Sequence, residues 1–103
     1  MAITNTFLST TNATAVFTAA NDEAITTIYL CNTTASNVSA NVYCIDGGGT
    51  AANSNQIFNG LIIQGNDTYA IDTAKLVLAS ADEIEVSANV ANVVSVTVSS
   101  IAI

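Results

Sequence analysis

Apolar and polar residues alternate along almost the whole chain. Clusters of Gly, Asn, Asp and Ser interrupt the alternation every eight to twelve residues. A period of two belongs to strands buried on one face, and turn residues at this spacing mark a sandwich or barrel of short strands. The pattern predicts strands at 2–9, 13–19, 24–32, 37–46, 56–64, 68–72, 75–79, 83–90 and 93–102. Turns at 20–23, 33–36, 65–67 and 80–82 separate them, together with a longer loop, GGGTAANSN, at 47–55. These turn residues tolerate positive φ or bond back to the backbone. The expected fold is all-β: a single Ig-like or jelly-roll-like antiparallel β-sandwich of about 8 short strands. It spans 1–103 as one domain, with 1–10 as an N-terminal contact arm.

Parity along each strand names the core. Val94, Val96 and Val98 fall on one face of the last strand and Ser95, Thr97 and Ser99 on the other. By the same reading Ile84, Val86 and Ala88 point inward, as do Leu76 and Leu78. Leu61 and Ile63 are expected to face Tyr69 and Ile71 across the Gly65-Asn66-Asp67 turn. A hairpin around Thr33–Ser36 would set Ile28 opposite Val42 and Leu30 opposite Ala40. Val38, Ala40, Val42 and Cys44 then share a face with Ile28 and Leu30, while Thr27, Tyr29, Cys31, Asn41, Tyr43 and Ile45 take the other. Cys31 and Cys44 would lie on opposite sides of one sheet, too far apart for a disulfide. Two free thiols are expected, with Cys44 acting as a small core residue.

Composition narrows the chemistry. The chain has eight Asp and Glu against a single basic residue, Lys75, for a net charge of −7. Nucleic acid or an anionic membrane surface would call for clustered Lys and Arg, and no apolar run has the length of a membrane span. The start MAITNTFLST has neither a basic nor an apolar leader region, which points to synthesis in a cytoplasm. Histidine is absent, so Ser-His-Asp and Cys-His arrangements are excluded. Lys75 is read as a solvated strand-end residue without a serine at S-x-x-K spacing. The carboxylates sit in or beside turns, where Asp bonds local backbone. Asp22-Glu23 with Asp82-Glu83 would offer a Ca²⁺ site only if their turns met at one pole. The expectation is a protein that is not an enzyme and has no cofactor or metal.

The absences also bear on association. Free sheet edges are ordinarily protected by Lys, Pro or inward charges. This chain has no proline and one lysine, it starts on AITNTFL and it ends on VSVTVSSIAI. Short Thr, Asn and Ser side chains lose little entropy on contact. A homo-oligomer or larger assembly is expected, with edges covered by neighbours. The candidate contacts are Ile3, Phe7 and Leu8 in the N-terminal segment, and Gly47, Gly48, Gly49, Asn53 and Asn55 in the long loop. Tyr29 and Tyr43, with Asn41 between them, form a further candidate as a stacking platform for a glycan.

Several strand-and-turn motifs resemble small virion proteins of tailed bacteriophages. They are I-Y-L-x-N-T-x-A-S from Ile28, N-V-Y from Asn41, S-N-x-I-x-N-x-x-I-x-x-G from Ser54, and D-x-I-x-V-x-A from Asp82, followed by V-x-V-T-V from Val94. The resemblance covers about residues 25–103, with Asn66-Asp67-Thr68 standing where G-D-T is usual. It implies a β-sandwich subunit of the virion and supplies no catalytic residues. The expected function is a capsid decoration or cement protein, whose partners are copies of itself and other virion proteins, major capsid or tail. A tail, neck or fibre subunit is one alternative and a glycan-binding module another.

Overall fold

The computed structural model describes residues 2–72 and 76–103. Among the described residues there are nine strands: β1 (Ala2–Phe7), β2 (Thr14–Thr18), β3 (Glu23–Asn32), β4 (Val38–Ile45), β5 (Gln56–Ile63), β6 (Thr68–Ile71), β7 (Leu76–Leu78), β8 (Glu83–Ala88) and β9 (Val94–Ala102). Lys75 lies outside the described residues. The front sheet runs β1-β9-β3-β6, with β7 also on β3, and the back sheet runs β2-β8-β4-β5. β6 pairs with the end of β3 and β7 with its start, so the two share one position in the sheet. Every pairing is antiparallel.

The pairings define the topology. With β6 and β7 counted as one strand, the first pairs with the last (β1–β9), the second with the next to last (β2–β8), then β3 with β6/β7, and β4 with β5. That is one long hairpin. It is rolled up so that β9 also meets β3 and β8 also meets β4. A rolled hairpin closing into two sheets is the jelly-roll arrangement, which selects between the two sandwich types expected from the sequence.

The core lies between the sheets and follows the parity of the strands. Ile28, Leu30, Val94, Val96 and Val98 from the front meet Val38, Ala40, Val42, Ile84, Val86 and Ala88 from the back. Cys44 packs against this cluster while half-buried, and both thiols are free.

Two pairings expected from the sequence are corrected. β3 and β4 do not form a hairpin, because they belong to different sheets and residues 33–37 carry the chain across between them. Ile28 pairs with Val98 and Ile71, and Val42 with Val86 and Phe58. β5 and β6 are likewise split between the sheets, and Tyr69 is 40% exposed at the front sheet's edge. The physical reason is the same in both places. Alternation fixes which side chains face the core, and a facing sheet satisfies that requirement as well as a neighbouring strand does. Cys31 and Cys44 are therefore kept apart by lying in different sheets.

A buried asparagine holds the crossing. Asn32 ends β3 at an inward position and is 1% exposed. Its amide nitrogen donates to the carbonyls of Ser36 and Ile63, at 2.8 and 3.0 Å, and its Oδ1 accepts from the Thr34 N–H at 3.0 Å. The next turn is pressed against this one, so that a Cβ on Gly65 would overlap the Ala35 carbonyl.

Candidate interaction surface

Register and parity place a defined set of side chains on the outer face of the front sheet. Across one row, Phe7, Ser95, Cys31 and Thr68 are neighbours; across the next, Asn5, Thr97, Tyr29 and Ala70. Ile3, Ser99 and Thr27 follow, and then Ile101, Ala24 and Val77. Among the described residues, none of these outward positions carries a charged side chain. Five large apolar or aromatic side chains are exposed on this face: Ile3 (70%), Phe7, Tyr29, Val77 (68%) and Ile101. Between them lie short hydroxyls and amides that bond to one another. Thr97 donates to Asn5 Oδ1 at 2.9 Å, and Thr26 donates to the Ser99 hydroxyl at 2.8 Å. Four strands at about 4.8 Å spacing and about 9 residues of length give a footprint of about 550 Å².

The back sheet is different. Glu83 and Glu85 stand on its outer face, with Tyr43 paired beside Glu85 and Ala15 on its other side. Burial, and then the charge of Glu83, push the Glu85 carboxyl above its usual value. This outer face is acidic.

Of the remaining carboxylates, Asp72 follows β6 at the front sheet's edge, beside the middle of β3, and the others lie in or beside the turns. The turns bearing Asp22-Glu23 and Asp82-Glu83 do meet at one pole, where the Ala19 N–H donates to the Asp82 carbonyl and the Ala81 N–H to the Ala19 carbonyl. Their side chains are used locally. Asp82 accepts from the Ala79 and Gly47 N–H groups, each at 2.9 Å, and Glu23 accepts from the Ala20 N–H and the Ser100 hydroxyl. The Ala79 N–H first, helped by the Gly47 N–H and the Asp46 side chain and opposed by desolvation, holds Asp82 below the usual carboxylate value. Among the described residues no group of three His, Cys, Asp or Glu side chains could hold a metal ion.

The candidate contacts from the sequence divide between these regions. Ile3, Phe7 and Tyr29 come together on the uncharged front face. Leu8 does not join them: it is 0% exposed and belongs to the core. The segment expected as an arm is an edge strand of the sandwich, pairing with β9 over Ala2–Phe7. Tyr29 and Tyr43 lie on opposite sheets, so they form no common platform. Asn41, expected between them, accepts from the Gly60 N–H at 2.8 Å.

The 47–55 loop is internally tied. Asn55 donates to the Thr50 carbonyl at 2.8 Å and accepts from the Ala52 N–H at 3.0 Å, while Asn53 opens a short 3₁₀ turn on its exposed side. Gly48 takes a positive φ of 80°, and Gly49 folds back toward Ile45, whose outward side chain is thereby buried. A shallow cavity of 620 Å³ lies between this loop and the start of β5. Gly47, Gly48, Gly49, Asn53 and Asn55 therefore sit at the back sheet's end and are not part of the front face.

Val77 and Ile101 belong to the front face and were not among the candidates. Their signal was parity: Ile101 continues the series Ser95, Thr97 and Ser99, and Val77 stands between two inward leucines. Comparison with family models, with curated proteins and with solved structures gives no match to this chain.

Proposed function

We propose that this protein is a structural subunit of a virion, a capsid decoration or cement protein that binds the assembled shell and stabilises it through many repeated contacts. One observation carries the reading. Among the described residues, a chain with a net charge of −7 leaves the outward strand positions of one sheet without charge, with Ile3, Phe7, Tyr29, Val77 and Ile101 exposed there. An apolar patch of several hundred Å² is the kind of surface that marks a protein contact. Its footprint of about 550 Å² falls short of the ~800 Å² that each partner gives to a standard interface. Weak single contacts repeated over a shell gain strength by multivalency, and that is how a cement protein works.

The rolled topology supports the reading by analogy of fold, since viral capsid proteins use it. Lectins use it as well, but the separation of Tyr29 from Tyr43 takes away the stacking platform that the glycan reading needed. Attachment to a tail, neck or fibre would use the same front face on another virion partner.

The test is co-sedimentation with empty shells of tailed bacteriophages. The wild-type protein is expected to pellet to saturation, and Tyr29→Lys and Ile101→Lys are expected to stay in the supernatant while keeping their fold. Sedimentation with purified tails alone moves the assignment to the tail. Binding to neither particle, or binding to a glycan panel instead, overturns it.

A further inference from the structure

Among the described residues the sandwich has four strand edges, and three of them are interrupted. β2 has a register shift between Ala15 and Phe17. β5 has two shifts against β4 and a positive φ of 67° at Gly60. The β6/β7 edge is made of two separate strands, and Asp72, next after Ile71, belongs to neither. Breaks of this kind prevent edge-to-edge pairing. The fourth edge, β1, makes six consecutive pairs to β9 with no shift, and its sequence AITNTF holds no charge and no proline.

The free side of β1 can be read from its neighbour. Leu8 donates to the Val94 carbonyl at 2.9 Å and accepts from the Asn92 N–H at 2.9 Å, so its backbone groups face β9. Backbone groups alternate sides along a strand. Thr6 and Thr4 therefore also face β9, and Phe7, Asn5 and Ile3 direct their N–H and C=O groups to the open edge. These same three residues carry their side chains on the uncharged face.

We propose that β1 pairs antiparallel with β1 of a second copy, with Asn5 on the two-fold axis. The strand is self-complementary in this register. Asn5 meets Asn5 of the second copy, and Ile3 meets its Phe7 on both sides of the axis. About six backbone hydrogen bonds form, two for each facing pair, and an aromatic side chain packs on a β-branched one twice. An isologous contact of this type closes on itself and stops at two copies. Charge favours this occupant at this place, because two chains of net charge −7 meet here without opposing carboxylates. The axis is normal to the sheet, so the two front sheets join into one of eight strand positions with both uncharged faces on the same side. The pairing does not depend on a virion role: a dimer that binds no shell keeps it, and a monomer that binds shells overturns it alone.

The test combines mass and register. Light scattering is expected to give twice the chain mass. In a Cys31→Ser background, Asn5→Cys is expected to be joined by a thiol cross-linker with a reach under about 8 Å, since facing residues lie about 5.5 Å apart. Ile3→Cys alone is not joined, because its copies are about 14 Å apart, whereas Ile3→Cys mixed with Phe7→Cys is. Asn5→Pro removes an N–H that serves only the open edge, a place where proline is tolerated. It also gives up the exposed bond from Thr97 to Asn5 Oδ1, and it is expected to weaken dimerisation at least tenfold while the monomer stays folded. If Asn5→Pro disturbs the fold, Ile3→Lys replaces it, with the same expected loss. A single-chain mass up to about 1 mM, cross-linking of Ile3→Cys to itself, or a dimer indifferent to both substitutions overturns the proposal.

Discussion

The side-chain amide of Asn32 donates to the carbonyl of Ile63 at 3.0 Å, tying the end of a front-sheet strand to the end of a back-sheet strand. Asn32 is 1% exposed, and its bond to the Ile63 carbonyl is made away from water. Replacing it by Leu leaves the Ser36 and Ile63 carbonyls and the Thr34 N–H without this partner. Each buried polar group left unsatisfied costs about 1–3 kcal/mol. Asn32→Leu is expected to destabilise the fold by at least that much in urea denaturation. Asn32→Asp keeps the acceptor and loses the donors, and is expected to destabilise as well. A neutral Asn32→Leu would show that the crossing is held by packing alone.

Gly65 is required for space and not for backbone conformation. A Cβ there would meet the Ala35 carbonyl at less than contact distance, and backbone on both sides leaves no flexible group to give way. Gly65→Ala is expected to cost about 1–3 kcal/mol or more, as overpacking does. Gly48 is the counter-case: it has a positive φ of 80° and open space around it. Gly48→Asn, which tolerates that conformation, is expected to be nearly neutral in the same melt.

The parity of Val94, Val96 and Val98 against Ser95, Thr97 and Ser99 was legible in the sequence, and so were the strands themselves, within one or two residues at their ends. Partners were not. Ile28 and Val42 were expected to pair within one sheet and instead belong to two sheets that share one core, because period-2 alternation says which side of a strand is dry and is silent about its neighbours. The signal for the crossing was a polar residue at an inward position: Asn32 continues the series Ile28, Leu30. Leu8 was misread for a related reason. Treating AITNTFL as one apolar arm ignored its parity, which sets Ile3, Asn5 and Phe7 outward and Leu8 inward. The front face was legible in part through Ile3, Phe7 and Tyr29. Its lack of charge emerges only when β1, β9 and β3 are laid side by side.

Asp82 makes stability depend on acid. Its carboxylate takes two backbone N–H groups, from Ala79 and Gly47, and its folded pKa is lowered. The unfolded chain then binds the proton more readily. The contribution of Asp82 is complete above the ordinary carboxylate value, near pH 4, and is lost as the pH falls through the lower folded value. Asp82→Ala is expected to melt several degrees below wild type at neutral pH, with the gap closing in strong acid. A gap of constant size across the titration would mean that the charge has no part in it.

Glu85 acts in the opposite sense. Burial, followed by the charge of Glu83, raises its folded pKa. The folded chain then holds the proton more tightly than the unfolded one, so this group favours folding below its ordinary value. That advantage is lost as the pH rises through the raised folded value, leaving a repelling pair on the back sheet at neutral pH. Glu85 is only partly buried, and solvent screening reduces the effect to roughly 0.5 kcal/mol, the scale of exposed charge pairs. Glu85→Gln is expected to raise the melting temperature slightly at neutral pH and to lose that gain near pH 3, below the ordinary glutamate value. Glu83→Gln should remove the same repulsion from the other side, so the double variant is expected to gain less than the sum of the two. Full additivity would show that the two carboxylates do not sense each other along the strand, and burial alone would then account for Glu85.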